Sequence, residues 1–243
     1  MMNTFIWEGP KPKTGFAPKF KAPIYIAKDG SDDFVERLTK YVLDVENNII
    51  AQEALVSEVP KPKIDPYRHT QQWKQHNLLC DFAGLEGEHL KRFPPDQVIT
   101  ELYNLIRTNY LVHLANLRLP RLKAYIHCWA NVLQSTEYIS KHNHMFHDNS
   151  YLSGTYYLTT NKSNLYIENP TNGRDGLTVP TEQKKLIFFP SYLVHYSDPC
   201  QDDETHRISI AFDIVLEDIV AGNPYRPHML FDDPDTMPGL DGK

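Results

Sequence analysis

The sequence predicts a mainly β domain, a sandwich or barrel of short strands, with a helical first half packed beside it. Three observations carry this. Apolar residues recur at helical spacing up to residue 117 and then give way, near Pro120, to short β-rich segments. Those segments are separated by turn-forming residues: Pro170 and Asn172-Gly173 mark one turn, Pro190 closes another strand, and residues 200–205 are polar enough for a third turn. Finally, Arg207-Ile-Ser-Ile-Ala-Phe-Asp-Ile has two chemically distinct faces. Ile208, Ile210, Phe212 and Ile214 share one face, and Arg207, Ser209, Ala211 and Asp213 share the other. In a barrel backed by helices, the apolar face packs outward and the small polar face lines a cavity.

The elements follow in order. Four prolines among lysines in residues 9–23 argue for an extended, irregular opening, after which Ile24-Tyr25-Ile26 forms a short strand. Phe34, Leu38, Val42, Val45 and Ile49 place a helix over 32–52, with Ser31 or Asp32 as its cap. Pro60, Pro62 and Pro66 break the next stretch. A second helix runs from about 96 to 117 after Pro94-Pro95, with Val98, Leu102, Leu105 and Ile106 on one side. Strands are expected at 122–132, 153–159, 164–168, 185–189 and 207–215. A hairpin turning near Gln201 would set His195 opposite Arg207. Residues 1–121 thus read as an arm with supporting helices, 122–216 as the β core, and 217–243 as an acidic, proline-rich extended tail, together one structural domain.

At 243 residues the chain can bury a full core, and no apolar run approaches membrane-spanning length. Met1–Glu8 turns polar too early for a signal peptide. Cys80, Cys128 and Cys200 have no paired spacing, so neither a disulfide framework nor a cysteine zinc site is expected, and a reducing cytoplasm fits best. The net charge is −6. Lys11, Lys13, Lys19, Lys21 and Lys28 make the first thirty residues mildly basic, too weak a footprint for a dedicated nucleic-acid binder. Trp73, Tyr103, Tyr110 and Tyr125 are scattered and read as core packing.

The chemistry concentrates elsewhere. His142, His144 and His147 crowd one six-residue stretch, His195 follows in the β-rich half, and Arg207-Ile-Ser209 comes twelve residues beyond it. A redox iron with open positions needs close nitrogen or oxygen ligands on one face, and a separate cation can hold a distant carboxylate. Taken singly, each histidine is more often structural. His206 and His228 lack such context and read as surface residues. Arg207 alone would be a solvated strand residue; facing His195, it is better explained as a carboxylate clamp, because guanidinium offers a planar two-bond fit.

Trp129-Ala-Asn131, Tyr138, His142-Asn-His144, Ser153-Gly-Thr-Tyr156-Tyr157-Leu158, Phe189-Pro-Ser191-Tyr-Leu193-Val-His195 and Arg207-Ile-Ser209-Ile-Ala-Phe212 occur in that order. Over residues 122–216 the chain resembles a bacterial and phage family of 2-oxoglutarate/Fe(II) oxygenases. The family pattern is W-x-N, H-x-H, S-G-x-Y-Y, F-P-S-x-L-x-H and R-I-S. The resemblance implies a double-stranded β-helix, or jelly roll, with helices packed on one sheet. It implies iron(II) on His142, His144 and His195, with 2-oxoglutarate and O2 as co-substrates. The 1-carboxylate and 2-keto oxygen of 2-oxoglutarate would meet the iron, and its 5-carboxylate would reach Arg207 and Ser209. Tyr157 would also face the co-substrate. Hydroxylation of a C–H bond is the default outcome.

In one respect the chain departs from the wider pattern. The common facial triad is two histidines and one carboxylate, yet His144 stands where many relatives carry Asp. A few extra residues also separate H-x-H from S-G. Counting forward from Trp129 and Tyr138 selects His142 and His144, whereas counting back from Ser153-Gly154 selects His147, which is held in reserve. Two other readings stay open. One is a non-enzymatic jelly-roll module that binds a metal or an anion; the other is an all-histidine iron dioxygenase that does not use 2-oxoglutarate. Arg207-Ile-Ser209 argues against both, since it provides for a dicarboxylate.

Overall fold

The computed structural model describes residues 3–56, 78–81, 97–145, 150–160, 162–201, 206–216 and 228–240. Helix α1 spans Asp32–Val56. Its first turn is capped by Ser31, whose Oγ accepts a 3.1 Å hydrogen bond from the Phe34 N–H. Asp32 and Asp33 in that turn complement the helix dipole. Helix α2 spans Gln97–Leu117. It ends without glycine: Arg118 takes the left-handed conformation (φ 54°). The Leu119 N–H then bonds the Leu114 carbonyl at 3.0 Å and the Arg118 N–H bonds Ala115 at 3.1 Å, closing the last turn before Pro120. A single 3-10 turn covers Leu78–Asp81.

Ten strands are described: β1 Asn3–Glu8, β2 Lys21–Lys28, β3 Ala124–Leu133, β4 Ser150–Tyr157, β5 Asn164–Glu168, β6 Gly176–Pro180, β7 Lys185–Pro190, β8 His195–Ser197, β9 Arg207–Leu216 and β10 Met229–Asp232. Seven form a major sheet in the order β1-β2-β7-β4-β9-β3-β10, and three form a minor sheet in the order β6-β5-β8. All their pairings are antiparallel. From β3 onward the chain alternates between the sheets. It leaves the major sheet to bridge β8 at His142, returns as β4, crosses to β5 and β6, returns as β7, crosses to β8 and returns as β9. This is a double-stranded β-helix with its helices on one sheet.

Three layers result. Phe34, Leu38 and Val42 of α1 and Ile99, Leu102, Ile106 and Tyr110 of α2 share a core with Ile208, Ile210, Phe212 and Ile214 on the outer face of the major sheet. Between the two sheets lies a smaller core of Phe20, Ala22, Ile24, Leu165, Ile167, Val179, Ile187, Phe189 and Leu193. Burial at this scale contributes roughly 1.5–3 kcal/mol for each large aliphatic or aromatic side chain. At the centre of β4, Gly154 lets the Phe212 ring lie against its Cα: a Cβ there would stand 2.3 Å from Phe212 Cζ and 2.6 Å from the Ile187 carbonyl oxygen.

The structure departs from the sequence expectations in four places. The opening is irregular over residues 9–20, but β2 is longer than the expected three residues, and β1 pairs with it along its length. Part of the expected tail is strand β10, pinned by Asp232, which accepts hydrogen bonds from Arg107 at 2.8 Å and Arg121 at 2.7 Å. Strands β6 and β8 lie outside the expected set, because one is largely exposed and the other is very short. The hairpin between His195 and Arg207 does not form: β8 pairs with β5 in the minor sheet, while β9 pairs with β3 and β4 in the major sheet. The physical reason is that His195 uses its own N–H and carbonyl on His142, at 2.8 and 3.1 Å. The breaks at Pro60, Pro62 and Pro66, residues 202–205 of the third turn, Trp73 and His147 lie outside the described residues.

Candidate metal and anion site

The inner face of the major sheet is laid out in rows fixed by strand register. Asn131, Ser209 and Tyr157 form one row across β3, β9 and β4; Trp129, Ala211 and Thr155 form the next; His127, Asp213 and Ser153 form the third. These residues all lie on the polar parity of their strands, as the alternation in Arg207–Asp213 requires. Most of them line a cavity of about 320 Å³ between the two sheets, together with His142, His144, His195, Phe189, Leu165 and Arg207.

His142, His144 and His195 meet at one end. One ligand nitrogen from each lies within 4.8 Å of the others. The convergence is built by the backbone. His142 bridges His195 across the minor sheet. The His144 N–H bonds the Ser191 carbonyl at 2.9 Å, in the turn just before β8.

The rings are oriented by what holds their other nitrogen. His142 Nδ1 meets the Ser140 carbonyl at 2.7 Å, and His195 Nδ1 meets the Leu193 carbonyl at 3.0 Å. His144 Nδ1 meets both oxygens of Asp213, at 2.5 and 2.7 Å. A carbonyl or carboxylate oxygen accepts and does not donate, so each Nδ1 carries a proton, and it is Nε2 that would carry the lone pair toward a metal. Burial, reinforced by His142 and His144 close by, holds the His195 imidazole well below its ordinary pKa, hence neutral. Three oriented imidazoles are the donor set that suits a divalent transition metal. Trp129 stacks on His144 with 5.7 Å between centroids, and Phe189 meets His195 edge-on at 4.7 Å.

Asp213 has no counterpart among the ligands that the sequence suggests; its inward parity beside Arg207 and Ser209 is the available signal. Its carboxylate is buried, and Ser153 Oγ donates to it at 2.7 Å. Burial pushes its pKa up, but the His144 ring and the hydrogen bonds from His144 and Ser153 outweigh that and pull it down to about 2. It is therefore a carboxylate at neutral pH. Among the described residues no lysine or arginine forms an ion pair with it.

Arg207 stands at the other end of the cavity. It is 3 % exposed. Its Nη1 donates to Ser163 Oγ at 3.1 Å, and its Nε has no hydrogen-bond partner among the described residues. No carboxylate forms an ion pair with it among the described residues. Tyr157 is fully buried in the same row as Ser209; burial raises its phenol pKa, and the Arg207 charge partly offsets this. An uncompensated buried guanidinium costs several kcal/mol, and a bound anion would remove that cost. Asn131 Oδ1 and Trp129 Nε1 also line the cavity as buried polar atoms with no partner among the described residues.

Of the remaining sequence candidates, His206 is exposed as expected, but His228 is half-buried with its ring 5.7 Å from His127. Tyr103 and Tyr110 pack in the core and Tyr125 is half-buried. No described helix is long and apolar enough to cross a membrane.

Fold and site together define a double-stranded β-helix with a three-histidine centre and a buried cation in one cavity. No family model and no curated protein matches the chain. Among solved structures it is similar to a Pseudomonas putida prolyl-4-hydroxylase, 14% identical, covering 80% of this chain and 92% of that one with a TM-score of 0.48. It is also similar to an oxidoreductase of the 2OG-Fe(II) oxygenase family from Burkholderia pseudomallei, 13% identical, covering 50% of this chain and 57% of that one with a TM-score of 0.42. A third likeness is the non-heme alpha ketoglutarate dependent carbocyclase SnoK from nogalamycin biosynthesis, 13% identical, covering 54% of this chain and 71% of that one at 0.39. The chain thus spans little more than half the length of the Burkholderia protein. At these identities and scores the likenesses add no weight to an assignment of chemistry, which rests on the site itself.

Proposed function

We propose that this chain is a 2-oxoglutarate- and Fe(II)-dependent oxygenase, acting as a hydroxylase. The observation that supports this reading best is that one cavity holds both three histidines, each with its Nδ1 bonded to a carbonyl or carboxylate oxygen, and a buried arginine that has no anionic partner among the described residues. His142, His144 and His195 would hold iron(II) through Nε2. The iron, when bound, supplies the redox centre that couples O2 reduction and oxidative decarboxylation of 2-oxoglutarate to oxidation of a C–H bond.

The chain's own residues bind, orient and shield. Arg207 would pair with the far carboxylate of 2-oxoglutarate in a planar two-bond contact, with Ser209 and Tyr157 beside it. Phe189, Leu165 and Trp129 wall the cavity and keep bulk water from its centre. The rival readings, a non-enzymatic module and an all-histidine dioxygenase, leave Arg207 without a dicarboxylate to hold.

The test is conversion of 2-oxoglutarate to succinate by the purified protein on addition of Fe(II) in air. Succinate should appear with wild type and not with His195→Ala, which should also lose stoichiometric iron. No succinate from an iron-loaded wild-type protein would overturn the proposal, and unchanged iron affinity in His195→Ala would overturn the ligand assignment. Replacing His142 or His144 singly should give a graded loss.

A further inference from the structure

We propose that Asp213 is the carboxylate of this metal centre, acting through His144 rather than by direct ligation. The inference rests on the function proposed above and assigns a positioning residue to it.

Charge is the argument. A divalent cation and a dicarboxylate cancel one another, which leaves Arg207, the one fixed charge among the described residues lining the cavity. A two-histidine, one-carboxylate centre balances that charge with its ligand carboxylate. Here position 144 is histidine, and a buried carboxylate stands directly behind it, touching His144 Nδ1 through both oxygens. A carboxylate on the far nitrogen of a metal-binding imidazole fixes the ring and raises its basicity, so the ligand carries part of the negative charge. The arrangement is held from both sides. Ser153 Oγ donates to Asp213, the Ser191 hydroxyl lies 3.0 Å from Ser153 Oγ, and the Ser191 carbonyl holds the His144 N–H. One short network therefore sets His144's backbone, its ring and its charge. Among the described residues the side chains that hold Asp213 are His144 and Ser153, with no lysine or arginine paired to it, so its one route to the metal is through the His144 ring.

The experiment titrates Mn(II), without 2-oxoglutarate, into wild type, Asp213→Asn and the double variant His144→Asp/Asp213→Asn, by calorimetry. Asparagine keeps an acceptor oxygen for Nδ1 and for Ser153 but no charge. Asp213→Asn should raise the Mn(II) dissociation constant about 10–100-fold. Moving the carboxylate onto position 144 in that background should restore most of the affinity, which a packing role for Asp213 would not produce. Wild-type affinity in Asp213→Asn, or a double variant no better than Asp213→Asn, overturns the proposal.

Should Asp213→Asn not fold, Ser153→Ala takes its place. It removes one hydrogen bond and leaves the charge, so it should weaken Mn(II) by no more than about fivefold; a loss of tenfold or more would mean that packing governs the site and overturns the proposal. Because Mn(II) binding needs no co-substrate, an Asp213-dependent affinity with no succinate formation would sink the proposed activity alone. Succinate formation with Asp213-independent affinity would sink this inference alone.

Discussion

Replacing Arg207 separates a carboxylate clamp from a structural cation. The side chain is 3 % exposed, has one hydrogen bond, to a neutral serine, and has no ion-pair partner among the described residues. Among the described residues nothing ionic offsets its desolvation, which an arriving anion would do. Losing a charge-assisted pair in such a pocket costs about 2–5 kcal/mol, which raises the dissociation constant for 2-oxoglutarate by roughly thirtyfold to several thousandfold. Arg207→Ala should lie in that range. Arg207→Lys keeps the charge but not the planar fork, and should fall between Arg207→Ala and wild type. Ser209→Ala removes one neutral donor, worth about 1 kcal/mol, and should do least. Stability should respond differently. Arg207→Met keeps most of the volume and removes the buried charge, so the ligand-free protein should be as stable as wild type to within about 1 kcal/mol, or more stable. Anaerobic calorimetry with iron present reads the affinities, and urea unfolding reads the stabilities. Equal affinity in wild type and Arg207→Ala would refute the clamp. A loss of several kcal/mol of ligand-free stability in Arg207→Met would show the arginine to be structural.

Two predictions test the frame around the site. His113 is buried, stacks on Phe188 at 6.0 Å and has its pKa lowered to about 4 by burial. The unfolded chain takes up this proton near its ordinary pKa of about 6.5 and the folded chain only near 4, so stability falls as pH drops through that window. The loss is roughly 2 kcal/mol between pH 7.5 and 5; His113→Leu should flatten the urea-derived stability over that range relative to wild type, and parallel curves would refute the assignment. Gly154→Ala sets a Cβ 2.3 Å from Phe212 Cζ and 2.6 Å from a backbone oxygen that cannot rotate away. It should destabilise by about 3 kcal/mol or more, seen as a lower urea midpoint, and a cost under about 1 kcal/mol would mean the sheet gives way there.

Much of this protein is legible in order along the chain. Both helices are readable because Phe34, Leu38 and Val42, and Val98, Leu102 and Ile106, repeat at the helical period and bury one face. Strands β3, β4, β5, β7 and β9 are readable because their runs are long or strictly alternating, and that alternation is enough to assign Arg207, Ser209 and Asp213 to one face. Local pattern does not record partners. Strands β1 and β10 lie at the edges of the major sheet, where distant segments supply their pairing, so the arm and the tail carry little strand signal of their own. His195 meets His142 through the minor sheet rather than meeting Arg207 through a hairpin, because only the folded topology decides which sheet a three-residue strand joins. The contact of Asp213 with His144, between residues sixty-nine positions apart, likewise comes into being only when the two sheets close over one cavity.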